Sequence, residues 1–361
     1  MTRRPLFPGV RCFAVAAGLL LAGAAVAQRE IVVTEHTQAA IQAALDSLGG
    51  PGTVFLTPGR YQVDGTLRIR NDGVTLQGSG MNQTVLFRVV DGTNTALVRA
   101  TGLAGVRVTG IRFKGASNRD PVQGELSNGR EVGVLLEDAS DFRVDNSFFT
   151  HTGFAGVRTN ASSTGVVDHC VFEDQYKPLV GTDGYGVVVY GIDALEGEPF
   201  GSGRATFIED SSFSLCRHAV AANKGARYVF RYNYVAQNEI AHAVDAHGTE
   251  YGSTVGTEWI DVNNNIIEDP IYRGYAVRIR GGMGVVWSNT FIGYNEGVEL
   301  TQDTEQPTGP VYIWDDYIFP ETSPMVRARG TMGTPIFYLS PAPDYVPYPY
   351  PHPLIPTGAR R

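Results

Sequence analysis

Cysteine and lysine are nearly absent: the 361-residue chain has three of each. Cys12 lies in the N-terminal leader described below, which leaves Cys170 and Cys216. Two cysteines make neither a disulfide framework nor a cysteine-based zinc site, so both are read as small core or turn residues. With few lysines and a formal net charge of −8, the chain is no general binder of nucleic acid or of an anionic membrane, and any polyanion it recognises needs a local patch of arginine. Long apolar runs are missing beyond the N-terminus, so no membrane span is expected. Long helices are disfavoured as well, because 43 glycines and only 18% charged residues point to many tight turns.

Arg3, Arg4 and Arg11 precede an apolar run over 13–26 that ends in Ala25-Val26-Ala27, the order of a signal peptide. Its removal takes three arginines and no acid, so the charge of −8 becomes −11. The expected organisation is a signal peptide over 1–27, one domain over 28–340 and a Pro/Tyr-rich tail over 341–361. The tail, Tyr345-Val-Pro-Tyr-Pro-Tyr-Pro-His-Pro-Leu354, is polyproline-like and suited to lie along the domain. A secreted or periplasmic monomer is expected.

Ile41, Ala44, Leu45 and Leu48 recur at helical spacing after Thr37, an N-cap residue, and before Gly49-Gly50, so one amphipathic helix is predicted over 37–48. From Gly52 onward the pattern changes to short strands punctuated by Gly, Asn and Asp, beginning Val54-Phe-Leu56, Leu67-Arg-Ile69, Val74-Thr-Leu76 and Val85-Leu-Phe87. From about 105 a unit of two apolar residues five apart recurs: Val108/Phe113, Val144/Phe149, Val167/Phe172, Ile208/Phe213, Phe230/Val235, Val262/Ile267, Val286/Phe291 and Ile313/Ile318. The shortest intervals imply a coil of roughly 22–24 residues, with insertions over 117–131 and 192–204 in the longer ones. Asn233, Asn265 and Asn289 occupy one position in consecutive units, which suits an asparagine ladder in a left-handed turn. Such a repeat describes an all-β, single-stranded parallel β-helix, in which each coil buries its apolar side chains only by stacking on its neighbours. The helix over 37–48 would close the N-terminal end against edge pairing.

Pro51-Gly-Thr-Val-Phe-Leu and Pro58-Gly-Arg-Tyr, together with the later coils, resemble the secreted right-handed parallel β-helix proteins of the pectate lyase superfamily. The resemblance implies an acidic polysaccharide as substrate and a polysaccharide lyase or uronan C5-epimerase as activity.

A second strand follows each unit, and aligning these strands by their inward valines gives an outward column: Arg158 and Asn160, Val188 and Tyr190, Ala221 and Asn223, Asp245 and His247, Arg278 and Arg280, Glu299 and Thr301. Coils stack about 4.8 Å apart, so a polymer along the axis would cross these residues rung by rung. Removing the proton beside a uronate carboxylate requires that carboxylate to be neutralised, by arginine or by a calcium ion. Arg278 and Arg280 are the expected clamp and His247 the expected base, with Asp245 orienting it. Lys224 or Tyr190 would protonate the departing oxygen, and Arg158, Asn223 and Glu299 would bind substrate. Read singly, Lys224 is a loop residue and Tyr190 equally a stacking aromatic. No calcium motif of fixed spacing is present; Asp183, Asp193, Glu196 and Glu198 offer oxygens for calcium or are simply solvated. His242, Asp245 and His247 have the spacing of a His-x-x-Asp-x-His metal site, but strict alternation sends His242 to the face opposite Asp245 and His247, and its alignment with His218 makes the two stacked turn histidines instead.

Ala243-Val-Asp-Ala-His247 is also similar to the Gly-Phe-Asp-Pro-His strand of mannuronan epimerases, which implies catalytic roles for Asp245 and His247. β-Elimination is the leading expectation, C5-epimerisation the alternative within enzymes, and a noncatalytic carbohydrate-binding solenoid the alternative outside them.

Overall fold

The computed structural model describes residues 29–89, 95–116, 130–175, 183–236, 242–250, 252–269 and 274–356. The expected signal peptide and most of the insertion over 117–131 lie outside these residues. Among the described residues, no helix is long and apolar enough to cross a membrane.

The repeat units become the rungs of two parallel sheets. The first members, from Val108 to Ile313, pair in register along a 12-stranded sheet, and the second, from Phe113 to Ile318, along a 10-stranded sheet. The strands that follow each unit form a third parallel sheet of ten strands. Side chains from all three sheets meet in one continuous core. Phe113, Phe149, Phe172 and Phe213 stack within it at centroid spacings of 4.9, 4.9 and 4.7 Å, nearly coplanar, each pair contributing about 0.5–1.5 kcal/mol beyond its buried area.

The phenylalanines dictate what can stand opposite them. A Cβ on Gly133, Gly156 or Gly186 would come within 2.6 Å of the ring of Phe149, Phe172 or Phe213, and the equivalent position at the start of the later third-sheet strands is also small: Ala219, Ala243, Ala276 and Gly297. This small residue and the valine after it both face the core. Two consecutive inward residues break the alternation at the start of the strand, and that has consequences for the site.

Asn233, Asn265 and Asn289 form the expected ladder. The backbone N–H groups of Ser211, Asn233 and Asn265 donate to the Oδ1 atoms of the next three rungs at 2.9–3.1 Å, and Asp316 Oδ1 closes the series by accepting from Asn289 at 2.7 Å. Each Nδ2 also donates to a backbone carbonyl, of Ile208, Phe230 and Val262. The left-handed residue is not the ladder asparagine but the one before it: Tyr232, Asn264, Ser288 and Asp315 have φ of 54–55°. Cys170 and Cys216 are free and buried, as core and turn residues.

A helix spans Gln38–Ser47, with Thr37 accepting from the N–H of Ala40 at its start and Ile41, Ala44 and Leu45 buried against the first coils. After the last strand the chain turns back along the outer face of the first sheet. There Arg231 donates to the carbonyls of Tyr348 and Pro349, His352 N–H to Glu209, and Tyr345 Oη to Asp261.

Candidate functional site

The third sheet carries the outward column in the expected register, Arg158–Val188–Ala221–Asp245–Arg278–Glu299. Its outer face changes character along the axis. The earlier coils present an apolar platform that includes Phe154, Tyr185, Val188 and Ala221, and the later ones present paired charges. A cavity of about 290 Å³ lies at the transition, with Val188 and Ala221 in its floor and Arg130, Asp183, Tyr185, Tyr190, Arg217, Asn223, Lys224 and His247 around it.

Arg130 is held by Asp183 at 2.9 Å and Lys224 by Asp193 at 3.3 Å. Arg217 differs: it donates to the neutral Tyr185 hydroxyl at 3.1 Å and has no ion pair with a carboxylate among the described residues. Burial raises the pKa of Tyr190, outweighing the opposing effect of the nearby Arg158 guanidinium, so the phenol keeps its proton. Arg158 lies over the rings of Tyr190 and Phe154, 5.1 Å from each centroid, and bonds Asn160. Asn223 Oδ1 accepts from Lys224 N–H and holds that residue in its left-handed turn at φ 64°.

Behind His247 stands a buried ionic cluster. Asp245 is fully buried; its Oδ2 accepts from Arg280 Nη2 at 2.6 Å and lies 2.8 Å from His247 Nε2. Glu250 Oε2 lies 2.8 Å from His247 Nδ1 and 2.9 Å from Arg280 Nη1. Burial opposes ionisation of Asp245, but Arg280, His247 and His242 outweigh it and hold the carboxyl well below the usual range. Burial also disfavours charge on His247; Asp245 and Glu250 overcome it and raise its pKa.

The structure therefore gathers Tyr190, Asn223, Lys224 and His247 around one cavity, with Arg158 against Tyr190. It does not place Arg280 and Arg278 as a clamp. Arg280 is buried and divided between Asp245 and Glu250, while Arg278 lies 3.0 Å from Glu299, which also pairs with Arg329. Glu299 is buried and lies away from the cavity walls. The insertion acids do not converge on an ion: Asp183, Asp193, Glu196 and Glu198 pair with Arg130, Lys224, Arg227 and Arg204 in turn.

His242 corrects the alternation argument. Ala243 and Val244 both face the core, so His242 shares the outer face with Asp245, and its Nε2 lies 3.0 Å from Asp245 Oδ1. The expected stacking with His218 is present, at 4.3 Å between centroids. Tyr185, Arg217 and Glu250 were missed. Glu250 had a signal, an acid three residues beyond His247. Tyr185 and Arg217 had a weaker one, since each stands directly before or near the small residue that opens a third-sheet strand.

A family model for rhamnogalacturonase A/epimerase, pectate lyase-like proteins matches residues 33–268. No curated protein matches the chain in sequence. Among solved structures, the alginate lyase from Paenibacillus sp. str. FPU-7 is similar with a TM-score of 0.50 at 12% identity, over 83% of this chain and 99% of that one. The catalytic unit of the GH87 α-1,3-glucanase from Streptomyces thermodiastaticus strain HF3-3 is similar with a TM-score of 0.55 at 14% identity, over 87% and 69%. At such identities these likenesses concern the fold. With the family model covering most of the coils and three parallel sheets wound as a solenoid, the chain belongs to the rhamnogalacturonase A/epimerase, pectate lyase-like family of β-helix proteins.

Proposed function

We propose that the protein is an exported carbohydrate-active enzyme that cleaves an acidic polysaccharide by β-elimination in the cavity on the third sheet. The observation that carries the reading is Arg217, a cavity-lining guanidinium that has no carboxylate ion pair among the described residues and faces the same cavity as Tyr190, Lys224 and His247. A uronate carboxylate is the anion this guanidinium suits, and neutralising it acidifies the neighbouring C–H. The floor of Val188 and Ala221 between Tyr185 and Tyr190 suits the apolar face of a sugar ring.

Tyr190, which keeps its proton, is the donor to the departing glycosidic oxygen, and Lys224 assists at the same wall. His247 remains the base in this scheme, with one revision. Nε2 lies against Asp245 and Arg280 and Nδ1 against Glu250, so proton abstraction requires the neutral imidazole, with Nδ1 unprotonated and turned out of the Glu250 contact, and Glu250 joins the site as the group that governs it. Arg280 and Asp245 become positioning residues behind His247.

Related β-helix structures include an alginate lyase and a glucanase, which supports a polysaccharide substrate more than it supports one reaction. C5-epimerisation shares the proton abstraction and is favoured by the Asp245/His247 strand. Incubation with pectate, alginate, glucuronan and glycosaminoglycans in heavy water separates the readings. Unsaturated ends mark the lyase, deuterium uptake without chain cleavage marks the epimerase, and binding alone marks a noncatalytic solenoid and overturns the enzyme reading. His247→Ala should lower turnover by about 10²–10⁴-fold with the circular dichroism spectrum unchanged; wild-type turnover would remove His247 from the mechanism.

A further inference from the structure

Three buried polar atoms converge at one place on the outer side of the third sheet: His218 Nε2, which has no hydrogen-bond partner, and His242 Nε2 and Asp245 Oδ1, which lie 3.0 Å apart without an aligned hydrogen bond. They come from two adjacent coils, all three residues are buried, and the donor atoms of the group lie within 4.8 Å of one another. We propose that His218, His242 and Asp245 form a binding site for a divalent first-row transition ion, with Zn²⁺ as the ion that suits it.

Three features fit a ligand set better than a packing accident. First, the tautomer of His218 is fixed. Its Nδ1 lies 2.6 Å from the carbonyl oxygen of His242, which only accepts, so Nδ1 carries the hydrogen and Nε2 presents a lone pair. That lone pair faces Asp245, whose Oδ2 is 3.7 Å away, so two acceptors confront each other. A cation between them resolves the conflict, and a ligating imidazole whose other nitrogen donates to a backbone carbonyl is the usual arrangement in metal sites.

Second, His242 Nε2 approaches Asp245 Oδ1 to 3.0 Å but makes no aligned hydrogen bond with it. Third, the opposite oxygen of Asp245 is already anchored by Arg280 and His247, which orients the carboxylate and leaves Oδ1 for the imidazole side. Arg280 is itself shared with Glu250, so its charge is not spent on Asp245 alone. Two neutral imidazoles and one carboxylate form the borderline nitrogen and oxygen donor set that Zn²⁺ accepts, whereas calcium prefers oxygen throughout.

The competing explanation is an aromatic ladder. Tyr185, His218, His242 and Tyr275 stack in sequence at 5.6, 4.3 and 5.2 Å, and histidine can serve there as a ring. A ladder explains the ring planes and leaves unexplained the unpartnered His218 Nε2 and the carboxylate held against both imidazoles, since phenylalanine or tyrosine would stack without burying them.

The test uses the full chain, prepared without a histidine tag and stripped with chelator, then titrated with Zn²⁺ and followed by metal analysis after dialysis. Roughly one Zn²⁺ per chain is expected, with a melting temperature that rises on reloading. His218→Phe and His242→Phe, which continue the ladder, should each weaken Zn²⁺ binding by more than about a hundredfold while far-ultraviolet circular dichroism is retained. Substoichiometric zinc in the wild type, or unchanged affinity in folded variants, overturns the site. Should the variants fail to fold, anomalous scattering at the zinc edge from wild-type crystals decides the matter: density between the two imidazoles and Asp245 supports the site, and density elsewhere or none overturns it. These readouts need no substrate and stand apart from the proposed reaction.

Discussion

Two polar arrays run through the same solenoid and are satisfied to different degrees. The three asparagines of the ladder are fully bonded: each Oδ1 accepts from the preceding rung and each Nδ2 donates to a backbone carbonyl. The His218/His242/Asp245 cluster, equally buried, leaves His218 Nε2 without a hydrogen-bond partner and His242 Nε2 and Asp245 Oδ1 3.0 Å apart without an aligned one. A buried polar group left unpaired costs about 1–3 kcal/mol, so the ladder is what the fold does with polar residues when it only has to hold coils together. The cluster bears a cost that stacking alone does not require, and a site for a ligand is what distinguishes it.

Breaking the cluster should have the largest effect. Asp245→Ala takes from Arg280 the carboxylate bonded to its Nη2 and removes the acid beside three imidazoles, and loss of one partner from a buried ionic group costs about 3–5 kcal/mol. Guanidinium unfolding should show it as a lower midpoint at unchanged slope. A cost under 1 kcal/mol would mean that Arg280 and the histidines re-solvate freely and that the cluster is not tightly built.

Asn265→Ala breaks the ladder instead. It leaves the Asn233 N–H and the Phe230 carbonyl unpaired in the interior, for about 2–4 kcal/mol. Ligand binding on the third sheet should be unaffected, because the ladder occupies the turn between the first two sheets. Altered binding in this variant would erase the division between the two arrays.

How the two arrays read in the sequence follows from their surroundings. The ladder was legible because Asn233, Asn265 and Asn289 sit at a fixed offset from in-register Val, Phe and Ile, so counting the repeat placed them. The column of Asp245, Arg278 and Glu299 was legible for the same reason. The burial of Asp245 and the face of His242 were not, because both depend on Ala243, a small residue that turns inward next to an inward valine. Period-two alternation holds from Val244 onward and fails one residue earlier. The pairing of Arg280 with Glu250 was hidden for a different reason: it depends on a loop after the strand, which no repeat constrains.

The ladder has one weak end, which gives a smaller effect of opposite sign. Asp316 stands where a fourth asparagine would, with Oδ1 bonded to Asn289 and Oδ2 unpartnered. Burial raises its pKa from 3.8 to about 7, against the lowering effect of the Asn289 hydrogen bonds. The folded carboxyl thus binds its proton more tightly than the unfolded one, so this group's contribution to stability is full below about 4 and is lost as pH rises through about 7. Asp316→Asn should remove that slope and stabilise the protein at neutral pH by about 2 kcal/mol. Unfolding midpoints of the two proteins at acidic and neutral pH are the measurement; parallel curves would show that Asp316 is not desolvated.

Arg217 sharpens the comparison at the cavity itself. Its guanidinium donates to the Tyr185 hydroxyl, a neutral acceptor that offsets little of its charge, whereas Arg130 and Lys224 around the same cavity each have a carboxylate. Arg217→Ala should therefore cost little stability and act on binding. A charged hydrogen bond to a substrate carboxylate is worth about 1.5–3 kcal/mol, so KM for a uronate polymer should rise about tenfold or more. Arg217→Lys should recover part of the loss, since it restores charge without the planar fork. Arg130→Ala should weaken binding less, because Asp183 already occupies that guanidinium and its removal frees a carboxylate beside an anionic substrate. If Arg130 and Arg217 prove equivalent, the contrast between a paired and an unpaired cation does not select the substrate, and the charge of the cavity as a whole does.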